Sequence, residues 1–358
     1  MNKDLTTGLK QHAVASGIDL IGITSADPFI IQKEKETVAD PKDLLSNARA
    51  IVITGFYMKD NNNIPDESVE SRGRFSAYNV KIFTPMQDYH RKIIKSFLER
   101  EGYRVEPDEY SKIPYKMAAV RTGLGKYGKN SVVITKKYGS FVMFVAHVTN
   151  APLNYEEFPV DKTDCDECEI CIKSCPTRAI YAPFKLKRNL CITDWLWGSF
   201  VPINLRRKQE NRLFGCGECV SVCPKNEKFK PRKEFPVLPE DVSSKPELIP
   251  LIAAENKYYK KLIASFPLLA GIDAIRGNAI IALGNAGSST CSTSGDSAVN
   301  VLKKALKHVK PQIRAYSACA LGRLNKPEAN NILQKTLLVE KDDNVIKEIQ
   351  YALGYSKK

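Results

Sequence analysis

No apolar stretch of this 358-residue chain approaches the ~20 residues that a membrane-crossing helix requires. Residues 1–10 are polar, with neither the hydrophobic core of an export signal nor a twin-arginine pair, so a cytoplasmic protein is expected. Acid is the second shortage: 40 Asp and Glu face 54 Lys and Arg, leaving a net charge of +14. A field of that sign attracts polyanions, of which nucleic acid is the commonest large one; it equally suits a docking face for an acidic electron donor. The 43% hydrophobic and 26% charged composition is that of a globular chain, and its length exceeds one ordinary core, so two or three domains are expected.

Cysteine, in contrast, is concentrated. Eight of the 10 cysteines lie in Cys165-x2-Cys168-x2-Cys171-x3-Cys175-Pro176, the lone Cys191, and Cys216-x2-Cys219-x3-Cys223-Pro224. This is the spacing of two-cluster ferredoxins, in which one tight loop supplies three corners of a [4Fe–4S] cube and the cysteine before proline reaches the other cube. On that logic Cys165, Cys168, Cys171 and Cys223 hold one cluster, and Cys175, Cys191, Cys216 and Cys219 hold the second. Cys191 departs from the pattern through its long gap to Cys216. Structural zinc has no use for two C-x3-C-P endings, and disulfides need an oxidising compartment. Cys291 and Cys319 lie outside the motif and are read as helix or loop residues.

Periodicity predicts helices over 5–16, 41–47 and 85–101, and strands over 18–23, 50–56, 103–105, 131–135 and 140–148. Residues 61–70 read as an exposed polar loop, and 117–123 as a helical turn entering Gly123-Leu-Gly-Lys-Tyr-Gly-Lys-Asn130. That run is neither G-x-G-x-x-G nor a P-loop. Its glycines allow close approach of a ligand to the backbone, or simply a loop. Residues 225–245 form a Pro- and Lys-rich linker. Beyond it Ala-Leu-Gly closes three similar helices at Gly284, Gly322 and Gly354, 38 and 32 residues apart, as in HEAT-like solenoids. Arg276, Lys303, Lys304, Lys307, Lys310 and Arg314 are placed to line one face of the solenoid for an extended anion, the alternative being a packed accessory lobe.

The three parts in this order resemble the epoxyqueuosine reductases, cobalamin-dependent enzymes distantly related to reductive dehalogenases. The resemblance rests on Arg72-Gly-Arg-Phe-Ser-Ala-Tyr78, Asp88-Tyr-His90, Arg121-Thr-Gly-Leu-Gly-Lys-Tyr-Gly-Lys-Asn130, Lys137-Tyr-Gly-Ser-Phe141, 149–153, the cysteine pattern, Arg212-Leu-Phe-Gly-Cys-Gly-Glu-Cys219 and Cys223-Pro-Lys-Asn226. It implies an α/β cobalamin-binding and catalytic domain (1–158), a ferredoxin-like two-cluster domain (159–232) and a HEAT-like helical domain (233–358). It also implies reduction of epoxyqueuosine to queuosine in tRNA, with electrons relayed through the clusters to cob(I)alamin. The alternatives are a paralogue acting on a small molecule, and an electron-transfer or corrinoid-activating protein.

The family motifs carry the cofactor contacts onto Tyr89, Arg121, Gly123, Gly125, Gly128, Lys129, Asn130 and Ser140. The cobalamin signature D-x-H-x-x-G is absent, since Ile93 follows Asp88 and His90 where glycine belongs, so the cofactor is expected base-off without His90 as lower ligand. Where the reductases carry an aspartate as proton donor this chain has Tyr115, the residue type that dehalogenases use. A phenol stays protonated at neutral pH and suits donation, the alternative being a packing tyrosine. Ala146 and Lys225 replace a glutamate and a tryptophan of the family pattern. The implied partners are a tRNA anticodon stem-loop and an external donor such as flavodoxin or ferredoxin, for a monomer with no membrane contact.

Overall fold

The computed structural model describes residues 4–32, 37–59, 72–76, 83–108, 112–160, 163–232, 245–253, 271–287 and 295–354. The loop expected at 61–70, most of the 225–245 linker and Cys291 fall outside the described residues.

Strands β1 (Leu20–Ser25), β2 (Phe29–Gln32), β3 (Thr37–Ala39), β4 (Ala50–Tyr57), β5 (Arg74–Phe75) and β6 (Val105–Pro107) come first. They are followed by β7 (Gly125–Tyr127), β8 (Val133–Thr135), β9 (Val142–Thr149), β10 (Ile180–Ala182), β11 (Lys185–Leu186) and β12 (Arg212–Phe214). The central sheet runs β1-β4-β9-β6, antiparallel throughout, with Ile53 opposite Gly22 and Ala146. All eight residues of β4 are buried, because helices cover both faces of the sheet. On one face α1 (Leu5–Ala15) and α2 (Phe83–Arg100) bring Leu9, Ile94 and Leu98 against Ala50 and Val52. On the other, α3 (Tyr115–Arg121) brings Ala118, Ala119 and Val120 against Ile51 and Ile53. The alternation along β4 thus sends successive side chains to two separate cores.

Several boundaries differ from the sequence reading. The helix expected at 41–47 is a single 3-10 turn, Pro41–Asp43, capped by the Asp40 carboxylate accepting from the Lys42 N–H at 2.9 Å. β1 and β6 each begin two residues later than expected. The glycine run supplies β7, which pairs antiparallel with β8, so its middle is a strand rather than a plain loop. The β2–β3 hairpin was not anticipated.

The repeat helices Ile272–Ala286, Pro311–Leu324 and Asp343–Ala352 stack side by side. Their closing glycines are contact points: a Cβ at Gly284 would meet the Ala320 Cα at 2.8 Å, and one at Gly322 the Ala352 Cβ at 2.7 Å. At the first two Ala-Leu-Gly sites neighbouring repeats therefore touch backbone to backbone, whereas Gly354 has open space around it and a left-handed φ of +77°. Their core continues into the stretch between Cys191 and Cys216, where Ile192, Trp195, Leu196, Val201 and Leu213 pack against Ile275, Ala279 and Tyr316. A buried ion pair, Arg206 Nη2 to Glu348 Oε1 at 2.6 Å, ties the two together.

The Arg72-Gly-Arg-Phe75 motif completes the junction. β5 pairs in parallel with β12, Arg74 Nε donates to the Asn211 side chain at 2.8 Å, and Arg72 meets Glu247 at 3.1 Å. A Cβ at Gly73 would strike Leu213 at 2.3 Å.

Candidate redox site and its junction with the glycine run

Cys165, Cys168, Cys171 and Cys223 line a single cavity of about 340 Å³, together with Lys129, Asn130, Ile134, Asp164, Asp166, Pro224 and Lys225. The first motif bends so that the Cys168 N–H donates to the Cys165 carbonyl at 2.9 Å, which turns successive thiols toward one centre. Burial, and after it the neighbouring thiolates of Cys165, Cys223 and Cys168, push the Cys171 thiol up. Thiolates so placed need a multivalent cation between them.

Cys175, Cys191, Cys216 and Cys219 form the second neighbourhood. Burial and the charges of Cys216, Cys191, Cys171 and Cys175 push Cys219 up to about 12. For Cys175 burial is outweighed by N–H groups donating to sulfur, including Ala179 N at 3.2 Å, and the thiol lies below its ordinary value. Among the described residues no three His, Cys, Asp or Glu side chains close on a point at single-ion distances. Four thiols in each set is the donor count of a [4Fe–4S] cube.

The glycine run braces this module. Asn130 Nδ2 donates to the Cys219 carbonyl at 3.0 Å, Lys126 meets Asp164 at 2.6 Å, and Lys129 Nζ donates to the Asp166 carbonyl. Ser140 is fully buried: its N–H donates to Asn226 Oδ1 at 2.9 Å and its Oγ accepts from Asn226 Nδ2 at 2.8 Å. Asn226, quoted in the Cys-Pro-Lys-Asn motif without a role, is thus the dock between the cysteine motif and the sheet domain.

Several expected cofactor contacts are therefore engaged within the protein. Arg121 reaches the end of β1, donating to Thr24 Oγ1 at 2.9 Å and Ser25 Oγ at 2.7 Å, pairing with Glu157 at 3.2 Å and covering the Phe29 ring. Tyr89 donates to the Ser16 carbonyl at 2.7 Å on the α1 side of the sheet, away from the glycine run. Gly123 ends α3 at φ +76°, a conformation that favours glycine. The space expected beside Gly125 and Gly128 is filled: a Cβ at Gly125 would meet the Ile134 carbonyl at 2.5 Å, and one at Gly128 would meet Asn130 Oδ1 at 2.8 Å. These glycines are small because β8 lies against them. Of the eight positions, Lys129 and Asn130 alone also line the cysteine cavity.

Tyr115 is half-buried at the start of α3, and its hydroxyl donates to the Asp108 carbonyl at 2.6 Å. His90, fully buried, meets Thr54 Oγ1 at 2.9 Å, and the same hydroxyl meets His147 Nε2 at 3.2 Å. The pairing of His90 with His147 escaped the sequence, because 57 residues separate them and neither sits in a metal-type spacing.

On the repeats the expected basic face is partly neutralised. Asp273 takes Arg276 at 3.0 Å and Lys310 at 2.7 Å, and Glu340 takes Arg314 at 2.8 Å. That Arg314–Glu340 pair and Glu328 line a groove of about 710 Å³, which Lys303, Lys307, Lys335 and Lys341 also border.

Residues 164–226 match the 4Fe-4S double cluster binding domain, and residues 268–354 match HEAT repeats. An epoxyqueuosine reductase of Bacillus anthracis is 29% identical over 96% of this chain and 97% of its own length. The Bacillus subtilis enzyme is 28% identical over 98% and 95%. A crystal structure of epoxyqueuosine reductase with an epoxyqueuosine-modified tRNA-Tyr stem loop superposes with a TM-score of 0.83, 27% identity and 98% of both chains covered. A Bacillus subtilis structure, with its catalytic aspartate loop swung out of the active site, gives 0.80 at 27% identity. Among the described residues no helix is long and apolar enough to cross a membrane. From the sheet domain through the cysteine motifs to the repeats, the chain is thus similar over nearly its full length to epoxyqueuosine reductases, which are oxidoreductases.

Proposed function

We propose that this chain reduces epoxyqueuosine to queuosine in tRNA, drawing electrons through two [4Fe–4S] clusters held by the eight cysteines. The observation that carries this reading is the unbroken likeness, over 98% of both chains, to a reductase holding its modified stem loop. Removing an epoxide oxygen as water consumes two electrons and two protons, so the site must join an electron path to an acid. The path is the pair of thiol sets, and Asn130 ties the glycine run to the second of them. Tyr115 is the acid in this proposal, and its phenol must leave the Asp108 carbonyl to act.

Cobalamin is the family's second cofactor and supplies a strongly reducing metal centre when bound. Arg121, Ser140 and Tyr89, proposed as its contacts, each hold hydrogen bonds within the protein and would share or exchange these on binding it. The assignment of cobalamin here therefore rests on the family.

The groove bordered by Lys303, Lys307, Lys335 and Lys341 takes RNA phosphates in this account. An external flavodoxin or ferredoxin supplies electrons to a cytoplasmic monomer. Tyr115 in place of the family's aspartate favours a second reading, a paralogue acting on a small molecule. The two separate in a deletion strain: tRNA lacking queuosine and accumulating epoxyqueuosine supports the first, whereas unchanged tRNA leaves the second.

A further inference from the structure

Residues 170–193 contain no Asp or Glu, yet they carry Lys173, Arg178, Lys185, Lys187 and Arg188. At the centre of this stretch lies the β10–β11 ribbon, with Ile180 opposite Leu186 and Ala182 opposite Lys185. Ile180 anchors it inward, whereas Tyr181 is 54% exposed, Phe184 45% and Leu186 41%. Lys187 Nζ stands 5.3 Å from the centre of the Tyr181 ring. The ribbon thus presents rings and cations together, on a chain whose net charge is +14.

Its tip is held in an unusual conformation. Phe184 has φ +62°, in the left-handed region that bulky residues rarely occupy, and its N–H donates to the Lys129 carbonyl at 2.9 Å. Strain of this kind persists where the surroundings hold it, often at functional sites. Here it belongs to the two-residue Pro183–Phe184 turn that joins β10 to β11. The ring is left 45% exposed, on a turn tied to Lys129 of the glycine run, which lines the cysteine cavity.

We propose that the β10–β11 ribbon is a stacking platform for unpaired RNA nucleotides beside the one being reduced, with Tyr181 and Phe184 taking base faces and Lys185 and Lys187 taking phosphates. The inference rests on the tRNA reading above. Unpaired RNA bases splay from the loop and stack on aromatic rings, and their backbone is met by flanking cations. An acidic electron-donor protein would use the cations, but it would have no need of two exposed rings between them.

The test is the affinity of the cluster-loaded enzyme for a fluorescently labelled anticodon stem-loop RNA, with iron content confirming that each variant is intact. Tyr181→Ala alters an exposed ribbon position. Phe184→Gly accepts the left-handed backbone without strain and removes the ring. Each is expected to weaken binding roughly tenfold, and Lys185→Gln with Lys187→Gln to make the slope of log affinity against log salt shallower by about one to two. Unchanged affinity in both ring variants, with the wild type binding, would overturn the platform. Intact RNA affinity with slowed cluster reduction by a flavodoxin would overturn it too and assign the surface to the donor. A wild-type enzyme that fails to bind the stem-loop would remove the tRNA reading and the platform with it.

Discussion

The Tyr115 hydroxyl donates to the backbone carbonyl of Asp108 at 2.6 Å, while the Asp108 carboxylate accepts the N–H groups of Lys112 at 2.9 Å and Ile113 at 2.6 Å. One buried residue thereby closes the segment leading into α3 and holds the candidate acid at its end. Tyr115→Phe keeps the ring and removes one hydrogen bond, a change of about 1 kcal/mol in stability. Cluster content should be unchanged while turnover falls by about 10²–10⁴-fold. Wild-type turnover in this variant would leave Tyr115 as a lock on the segment and no more.

The cysteine sets predict separable losses. Cys171→Ala should remove the cluster of the 340 Å³ cavity, and Cys219→Ala the other. Anaerobically purified wild type should hold about eight irons, and each variant about four. Loss of all iron from either one would show the two clusters to be structurally inseparable.

The double-cluster motif was legible because cluster ligation is a local spacing rule. The repeat helices were legible because Ala-Leu-Gly recurs at their ends, and at Gly284 and Gly322 it marks contacts where only small residues fit. The glycine run was only half legible for the same physical reason: small residues signal close approach but do not name what approaches. At Gly125 the neighbour is the Ile134 carbonyl of β8, a pairing that only the folded register reveals. The engagement of Arg121 by Ser25 and Glu157 and the docking of Ser140 on Asn226 are likewise long-range, with no sequence periodicity to announce them. Half of the expected basic face was lost to Asp273 and Glu340: Lys310 and Arg314 reach them from distant positions, whereas Arg276 sits three residues from Asp273 on one helix, a spacing that the sequence does display.

His90 and His147 share the Thr54 hydroxyl, whose single proton serves one ring while it accepts from the other. Burial lowers His90 to about 4, against an opposing effect of Asp19. Burial, with the charges of His90 and Arg91 adding to it, lowers His147 to about 3. The unfolded chain takes up these protons near pH ~6.5, before the folded chain does. Stability is therefore complete above about pH 6.5 and declines as pH falls toward about 4, by a few kcal/mol. Melting temperatures across that window should drop in the wild type and drop less in His147→Leu. A flat wild-type profile would contradict the buried neutral pair.

Arg206 is buried, donates to the Val201 carbonyl at 3.0 Å and pairs in bidentate fashion with Glu348. Glu348→Ala leaves that guanidinium without its counter-charge, at a cost of about 3–5 kcal/mol. Because the Cys191–Cys216 stretch is packed through this pair, the variant should melt lower and release iron sooner on warming. Unaltered melting would show that the repeats do not support the cluster module.

The central claim is that this chain turns epoxyqueuosine in tRNA into queuosine. The most direct measurement incubates the enzyme anaerobically, loaded with iron–sulfur clusters and cobalamin, with a low-potential reductant and epoxyqueuosine-containing tRNA. Nucleosides are then weighed by mass spectrometry. Queuosine should appear, 16 mass units (about one oxygen atom) lighter than its precursor, and its formation should cease when Cys219→Ala replaces the wild type. Epoxyqueuosine left intact by a fully loaded wild-type enzyme would contradict the account.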